Sequence, residues 1–261
     1  MLIGHGVLVR VGSGRGRFYR GRRGDRPAPE LVWAHAARPS SNRLRDKHIL
    51  IFGASGHVGS GLAQHLSADH RITGIVRSQP EAKTPYTPVV VPEWVERPQT
   101  VVDELGRVGA PPVDAVIAAV GGWYVDISMI ARGVDSFDAD YGAYLRGHFA
   151  ACAVSEALAE AGGSDRIRHL TLNGVASVEP CAGSGAISVF GAAQEMLLRV
   201  AAEETDSVHY RELKVMAPIA GDDRNDLSGG VETIGLTTVA EAVIDIVSRP
   251  EDHELSTQLN V

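Results

Sequence analysis

The sequence predicts an α/β fold, a doubly wound parallel sheet with helices on both faces, and three observations carry that prediction. From Asp46 onward short apolar runs alternate with helical patterns, several runs are apolar at consecutive positions, and a glycine-rich loop joins the first run directly to a helix. Alternating strands and helices build parallel sheets, and a strand covered on both faces reads as a continuous apolar run.

The elements follow in order. Lys47 to Phe52 predicts a buried strand, Val58 to Ser67 a helix and Arg71 to Val76 a second strand. Val89 to Val91 predicts a short third strand, with a helix from Gln99 to Val108 behind it. The run from Asp114 to Val120 is too short for a helix and predicts a fourth strand. One long helix comes next, because Phe137, Tyr141, Leu145, Phe149 and Cys152 recur every three or four residues. Ile167 to Leu172, Glu212 to Met216 and Thr257 to Val261 predict the remaining strands, separated by helices from Ala186 to Glu204 and Thr238 to Ser248. Strict alternation of strand and helix is the expectation throughout.

The loop after the first strand is Gly53-Ala54-Ser55-Gly56-His57-Val58-Gly59. Glycines there permit a tight turn and let the backbone approach a pyrophosphate, which rests on the unpaired N–H groups of the following helix. The spacing is G-x-x-G-x-x-G rather than G-x-G-x-x-G, so the strand–loop–helix context carries the argument. Gly53, Ser55, Gly56, His57, Val58 and Gly59 are therefore expected to hold a dinucleotide in a Rossmann fold. The second strand ends in Arg77-Ser78, where an acidic residue would select the ribose 2′-hydroxyl. Arg77 and Ser78 point to NADP(H), with NAD(H) as the alternative.

Charge divides the 261 residues into two parts. Residues 1–45 carry ten Arg against Asp25 and Glu30, whereas 46–261 carry 15 Lys and Arg against 30 Asp and Glu. The first segment is rich in Gly, Arg and Pro without a period of 3.6 or 2, and is expected to be a disordered extension. It reads as a basic arm attracted to RNA or membrane, as an Arg-rich transit peptide, or as upstream sequence from an early start codon. Residues 46–261 form the expected NAD(P)-binding domain, and its acidity argues against a nucleic-acid surface. No run reaches the roughly 18 apolar residues of a membrane span, so no membrane partner is expected. Two cysteines, Cys152 and Cys181, are too few for a disulfide framework and lack metal-ligand spacing, which suits a cytoplasmic protein without a bound metal.

Beyond the loop, the chain resembles the short-chain dehydrogenase/reductase superfamily over about residues 46–261. Ala118-Ala119-Val120-Gly121-Gly122-Trp123 is similar to its Asn-Asn-Ala-Gly segment, and closer to the Ala-Gly-Gly-Trp of dihydropteridine reductases. Phe137-Asp138 with Tyr144-Leu145-Arg146-Gly147-His148-Phe149 resembles the Trp-Asp…Asn-Leu-x-Gly-x-Phe pattern, and Val215-Met216-Ala217-Pro218 the Val-x-Pro-Gly turn. The resemblance implies cofactor contacts at Ala119, Val120, Gly121, Gln194 and Pro218, and a homodimer or homotetramer. The family's Tyr-x-x-x-Lys pair, however, aligns with Phe190 and Gln194. Its Ser position falls near Gly174 or Val175, and its helical Asn on Tyr144.

Phe190 has no proton to transfer, and losing a general acid forfeits about 10²–10⁴ in rate. Tyr144 and Tyr124 are the substitute proton donors, the latter just after the fourth strand where doubly wound folds bind ligands. Asp126 and Ser188 are lesser candidates, and Cys181, next to acidic Glu179 without an obvious base partner, is not expected to be a reactive thiol. Tyr144 lies one helical turn from His148. The pocket is expected from the loop Trp123–Ser136, the segment Pro180–Ile187 and the turn Gly221–Gly230, the Gly-rich parts acting as lids. An NADP(H)-dependent oxidoreductase acting on a small organic carbonyl is the expectation. A cyclase, dehydratase or isomerase, and a non-catalytic dinucleotide sensor bound to a protein partner, are the alternatives.

Overall fold

Seven parallel strands in the order β3-β2-β1-β4-β5-β6-β7 form the sheet of this protein. A computed structural model describes residues 46–162, 166–222 and 232–261. The strands are β1 His48–Phe52, β2 Arg71–Val76, β3 Thr87–Val90, β4 Ala115–Ala118, β5 Ile167–Gly174, β6 Val208–Val215 and β7 Ser256–Leu259. The helices are α1 His57–Leu66, α2 Gln99–Arg107, α3 Met129–Arg132, α4 Val134–Asp140, α5 Gly147–Glu160, α6 Gly185–Glu204 and α7 Leu236–Ser248. The basic segment 1–45 lies outside the described residues, as does 223–231, most of the expected Gly221–Gly230 lid.

Strand β1 explains the layering. Successive side chains point to opposite faces, so Ile49 and Ile51 enter a core with Leu62, Val239 and Val243 of α1 and α7. Leu50 and Phe52 enter a second core with Val101 of α2, Val154 of α5 and Leu198 of α6. All five β1 residues are buried, each large aliphatic contributing about 1.5–3 kcal/mol. At its start, Asp114 accepts from Lys47 Nζ at 2.8 Å and His48 N at 2.9 Å, tying β4 to β1. Sheet order reverses between β1 and β4, and ligands of such sheets bind beyond the strand carboxyl ends at that point.

Three features depart most from the sequence expectation. Strand and helix do not alternate strictly: residues 77–86 join β2 to β3 without a helix. The expected long helix is interrupted by a π-helical turn, Tyr141–Arg146, between α4 and α5. A π turn adds residues to the helical ring and shifts the phase of the face, so Phe149 is exposed while Ala150, Ala151 and Val154 are buried. Strand β6 begins at Val208, four residues early, because Val208 and Tyr210 alternate inward and pair in register with Ile167 and His169.

Candidate functional site

The glycine loop turns at Gly53, whose φ of 78° favours glycine. A Cβ there would lie 2.2 Å from Ala119 O, and one at Gly59 2.1 Å from Gly53 O. Loop, β4 end and α1 thus approach at backbone distance, which only these glycines allow. The cap residue Gly56 offers α1 no side-chain acceptor, so the first N–H groups of the helix remain for an anion. Ser55 is exposed, and Val58 packs on the core of α1 and α7. This cradle fits a dinucleotide pyrophosphate.

His57 is placed differently from a free contact: its Nε2 lies 3.0 Å from Ala220 O and bridges the loop to the segment after β6. That segment is pinned in turn, with Ile234 N donating to Pro218 O at 3.0 Å. Arg77 and Ser78 are exposed at the end of β2, and Arg77 forms no salt bridge among the described residues.

After β4, Ala119 N donates to Phe52 O at 3.0 Å, and His148 holds the next residue, donating from Nε2 to Val120 O at 3.1 Å. His148 is fully buried with Nδ1 unpartnered, and burial pushes its pKa down to about 4. Beside it on the same sheet face, His169 bonds Ser155 Oγ at 2.7 Å and Thr171 Oγ1 at 3.0 Å. Burial, then the neighbouring His148, push its pKa down to about 3. Both histidines are neutral in the fold, so their contribution to stability is complete above the unfolded value near 6.5 and is lost as pH falls toward 4. Urea unfolding should therefore give a free energy lower at pH 5 than at pH 7.5 by about 2 kcal/mol or more. His148→Gln should flatten that slope, and equal stabilities at the two pH values would contradict the neutral pair.

The two candidate tyrosines lie with ring centroids 6.5 Å apart, edge to face. They differ in what holds their hydroxyls. Tyr124 donates to Asp140 Oδ2 at 2.6 Å, Arg132 Nη1 lies 2.8 Å from the same oxygen, and the Arg132 guanidinium sits 4.2 Å above the Tyr124 ring. Burial, then the hydrogen bond and charge of Asp140, push Tyr124 up to about 12. Asp126 pairs with Arg132 Nε at 3.3 Å, and Ser184 Oγ donates to Tyr124 O. Tyr144 is half-buried, rises from the π-helical turn, and has no hydrogen-bond partner among the described residues. Its Cδ1 lies 3.3 Å from where a Gly121 Cβ would stand, and its hydroxyl 3.6 Å from one at Gly122. Burial, then the charge of Asp140, raise its pKa as well.

On α6, Phe190 and Gln194 share one buried face. Phe190 packs on Phe137 at 4.8 Å and Tyr141 at 5.9 Å. Gln194 Nε2 donates to Leu172 O at 3.1 Å. Gly174 ends β5 and Val175 opens a short 3₁₀ turn, Val175–Ser177. Ser177, not foreseen, lies against Gly191, and its hydroxyl donates to Gly174 O at 2.7 Å. Ser188, in the first turn of α6, accepts from Cys181 N at 3.2 Å. Cys152 is buried, and burial pushes its thiol pKa up. Among the described residues no three His, Cys, Asp or Glu side chains gather to hold a metal ion, and no helix is long and apolar enough to cross a membrane.

The structure thus sets Gly53 of the loop against Ala119 and Tyr144 beside Gly121 and Gly122, with Asn173 and Gln194 both bonded to Glu212 beyond them. Arg132, Asp140, Asn173 and Glu212 were not foreseen. Charged Glu212 and Lys214 inside a strand were the available signal for part of this network.

No family model matches the chain, and no curated protein matches it. Solved structures do. Aldohexose dehydrogenase of Thermoplasma acidophilum, in ligand-free form, is similar with a TM-score of 0.67 at 13% identity, over 82% of this chain and 93% of that one. A short-chain dehydrogenase from Leptospira borgpetersenii with bound NAD⁺ is similar with a TM-score of 0.68 at 15% identity, over 85% and 94%. A short-chain type dehydrogenase/reductase from Mycobacterium ulcerans gives 0.69 at 12% identity, over 83% and 88%. At these identities the likeness establishes the fold alone.

Proposed function

We propose that this chain, which has the fold of short-chain dehydrogenases/reductases, is an NADP(H)-dependent oxidoreductase acting on a small organic carbonyl, with Tyr144 as its proton donor. The observation that carries the reading is the Tyr144 hydroxyl, without a hydrogen-bond partner among the described residues and close to Gly122 in the segment after β4. Gly53, Ser55, Gly56 and Gly59 would hold the pyrophosphate against the start of α1, Arg77 and Ser78 would meet the 2′-phosphate, and Ala119 to Gly121 would line the central part of the cofactor, whose reduced nicotinamide would supply a hydride when bound. Negative charge then builds on the carbonyl oxygen, and a donor within about 3 Å must meet it. Tyr144 donates that proton. Tyrosine is protonated at neutral pH, so it is available as a donor; burial and the charge of Asp140 raise its pKa and hold that proton more firmly. Tyr124 is the weaker candidate because its proton is held by Asp140.

A sensor without catalysis is the second reading, favoured by Phe190, which fills with an aromatic cluster the position where the family places its tyrosine.

Titration calorimetry tests the cofactor. NADPH should bind tighter than NADH by about tenfold or more, since a charge-assisted bond to a phosphate is worth about 1.5–3 kcal/mol. Arg77→Ala should erase the difference. Equal affinities in the wild type would remove Arg77 from the site.

A further inference from the structure

Doubly wound sheets are usually apolar on both faces, but beneath α6 this one is polar. Glu212 of β6 is wholly buried. Its Oε1 accepts from Asn173 Nδ2 at 2.7 Å and from Gln194 Nε2 at 3.4 Å, and its Oε2 accepts from Ser256 Oγ at 2.6 Å. Lys214 Nζ lies 3.3 Å from Oε2 and donates to Glu195 Oε2 at 2.5 Å, so the buried carboxylate has its counter-ion on the same strand.

The hydrogen-bond inventory of the two amides is then settled. Asn173 Nδ2 has two hydrogens, and its partners are Glu212 and Gly191 O at 2.9 Å. Gln194 Nε2 has two, and its partners are Glu212 and Leu172 O. Flipping either amide would set its oxygen against a carboxylate and a carbonyl, so the orientation is dictated by chemistry. Asn173 Oδ1 is taken by Gly174 N at 2.9 Å. Gln194 Oε1 has no partner among the described residues.

We propose that Glu212 is a positioning residue for the dinucleotide site: by taking an N–H from each of Asn173 and Gln194 it locks α6 to the end of β5 and leaves Gln194 only an oxygen to offer a ligand. The site then presents an acceptor at residue 194, suited to a ribose hydroxyl, where a lysine would present a donor and a positive charge. This inference rests on the dinucleotide reading above.

The test compares wild type, Glu212→Met, Glu212→Asp and the double variant Glu212→Met with Lys214→Met, by melting temperature, NADPH calorimetry and the ¹⁵N side-chain amide signals of Asn173 and Gln194. Glu212→Met, which leaves no acceptor for either amide, should move both amide signals and weaken NADPH binding about tenfold. Glu212→Asp, which keeps the charge on a shorter arm, should weaken binding likewise and stands in should Glu212→Met fail to fold. The double variant should regain melting temperature but not affinity, since it removes both buried charges and leaves the amides unclamped. Wild-type affinity in Glu212→Met or Glu212→Asp, or recovery of affinity in the double variant, would reduce Glu212 to a structural role and overturn the inference while leaving the cofactor reading intact. A wild type that binds no NADPH would instead overturn the cofactor reading, and this inference with it.

Discussion

Gly53→Ala should destabilise the protein by about 2–5 kcal/mol, the sum of placing a side chain in left-handed backbone and of overpacking a filled space. Both contributions are visible at one residue. The φ of 78° is a conformation L side chains avoid, and the new Cβ would stand 2.2 Å from Ala119 O and 2.9 Å from Ala119 C. Those obstacles are backbone atoms of the neighbouring β4 exit, so no side chain can swing aside. Dinucleotide binding should fall with stability, because relieving the clash moves the cradle and the Ala119–Gly121 wall apart. Gly106→Ala is the control: it lies within α2 with nothing within 4 Å of a Cβ, and should stabilise by about 0.8–1 kcal/mol. Thermal melts of the three proteins measure this directly. A Gly53→Ala protein as stable as wild type would mean the loop does not have this close-packed form.

Tyr144→Phe should lower NADPH-dependent carbonyl reduction by about 10²–10⁴ in kcat with little change in KM, the usual loss when a general acid is removed. Tyr124→Phe should cost far less, because its hydroxyl is engaged with Asp140 and Arg132 rather than open to a substrate. The pH profile gives a second check on a tyrosine acid. Burial and the charge of Asp140 raise Tyr144 above its ordinary value near 10, so reduction should show no loss of a protonated tyrosine between pH 6 and 9. Phe190→Tyr brings a hydroxyl into a space closed by Phe137 and Tyr141, at a cost of about 1–3 kcal/mol if it stays unbonded. Gln194→Lys would place a cation against Glu212. Activity in Tyr144→Phe equal to wild type would exclude Tyr144 as the acid and leave water or the substrate as the proton source.

The sheet was legible wherever a strand is buried on both faces. Residues 49–52 and 115–118 could be read as continuous apolar runs because helices cover both faces of these strands and no polar side chain interrupts them. The glycine loop was legible as a tight strand-to-helix turn, since Gly53 takes a φ of 78° and a Cβ at Gly53 or Gly59 would meet backbone atoms. Two kinds of feature were hidden. The π turn at Tyr141–Arg146 leaves no mark in a pattern read at 3.6 residues per turn, so Phe149 seemed to continue the apolar stripe and instead faces solvent. The start of β6 was masked by His209 and Arg211, which sit between the inward Val208 and Tyr210. Pairings across sequence were hidden as well. Tyr124 and Tyr144 looked equivalent as candidate acids until Asp140 was seen to hold one hydroxyl and not the other, and Glu212 gained meaning only from Asn173 and Gln194 beside it.

Transfer of isotope from cofactor to product tests the proposed activity most directly. NADPH carrying deuterium at both C4 positions of the nicotinamide is incubated with the protein and a panel of small ketones and aldehydes, and products are read by mass spectrometry. The account predicts that at least one product gains one deuterium for each NADPH oxidised, and that Tyr144→Phe binds the cofactor but forms that product about 10²–10⁴ times more slowly. Tight NADPH binding with no label in any product would contradict the oxidoreductase reading and favour a dinucleotide sensor.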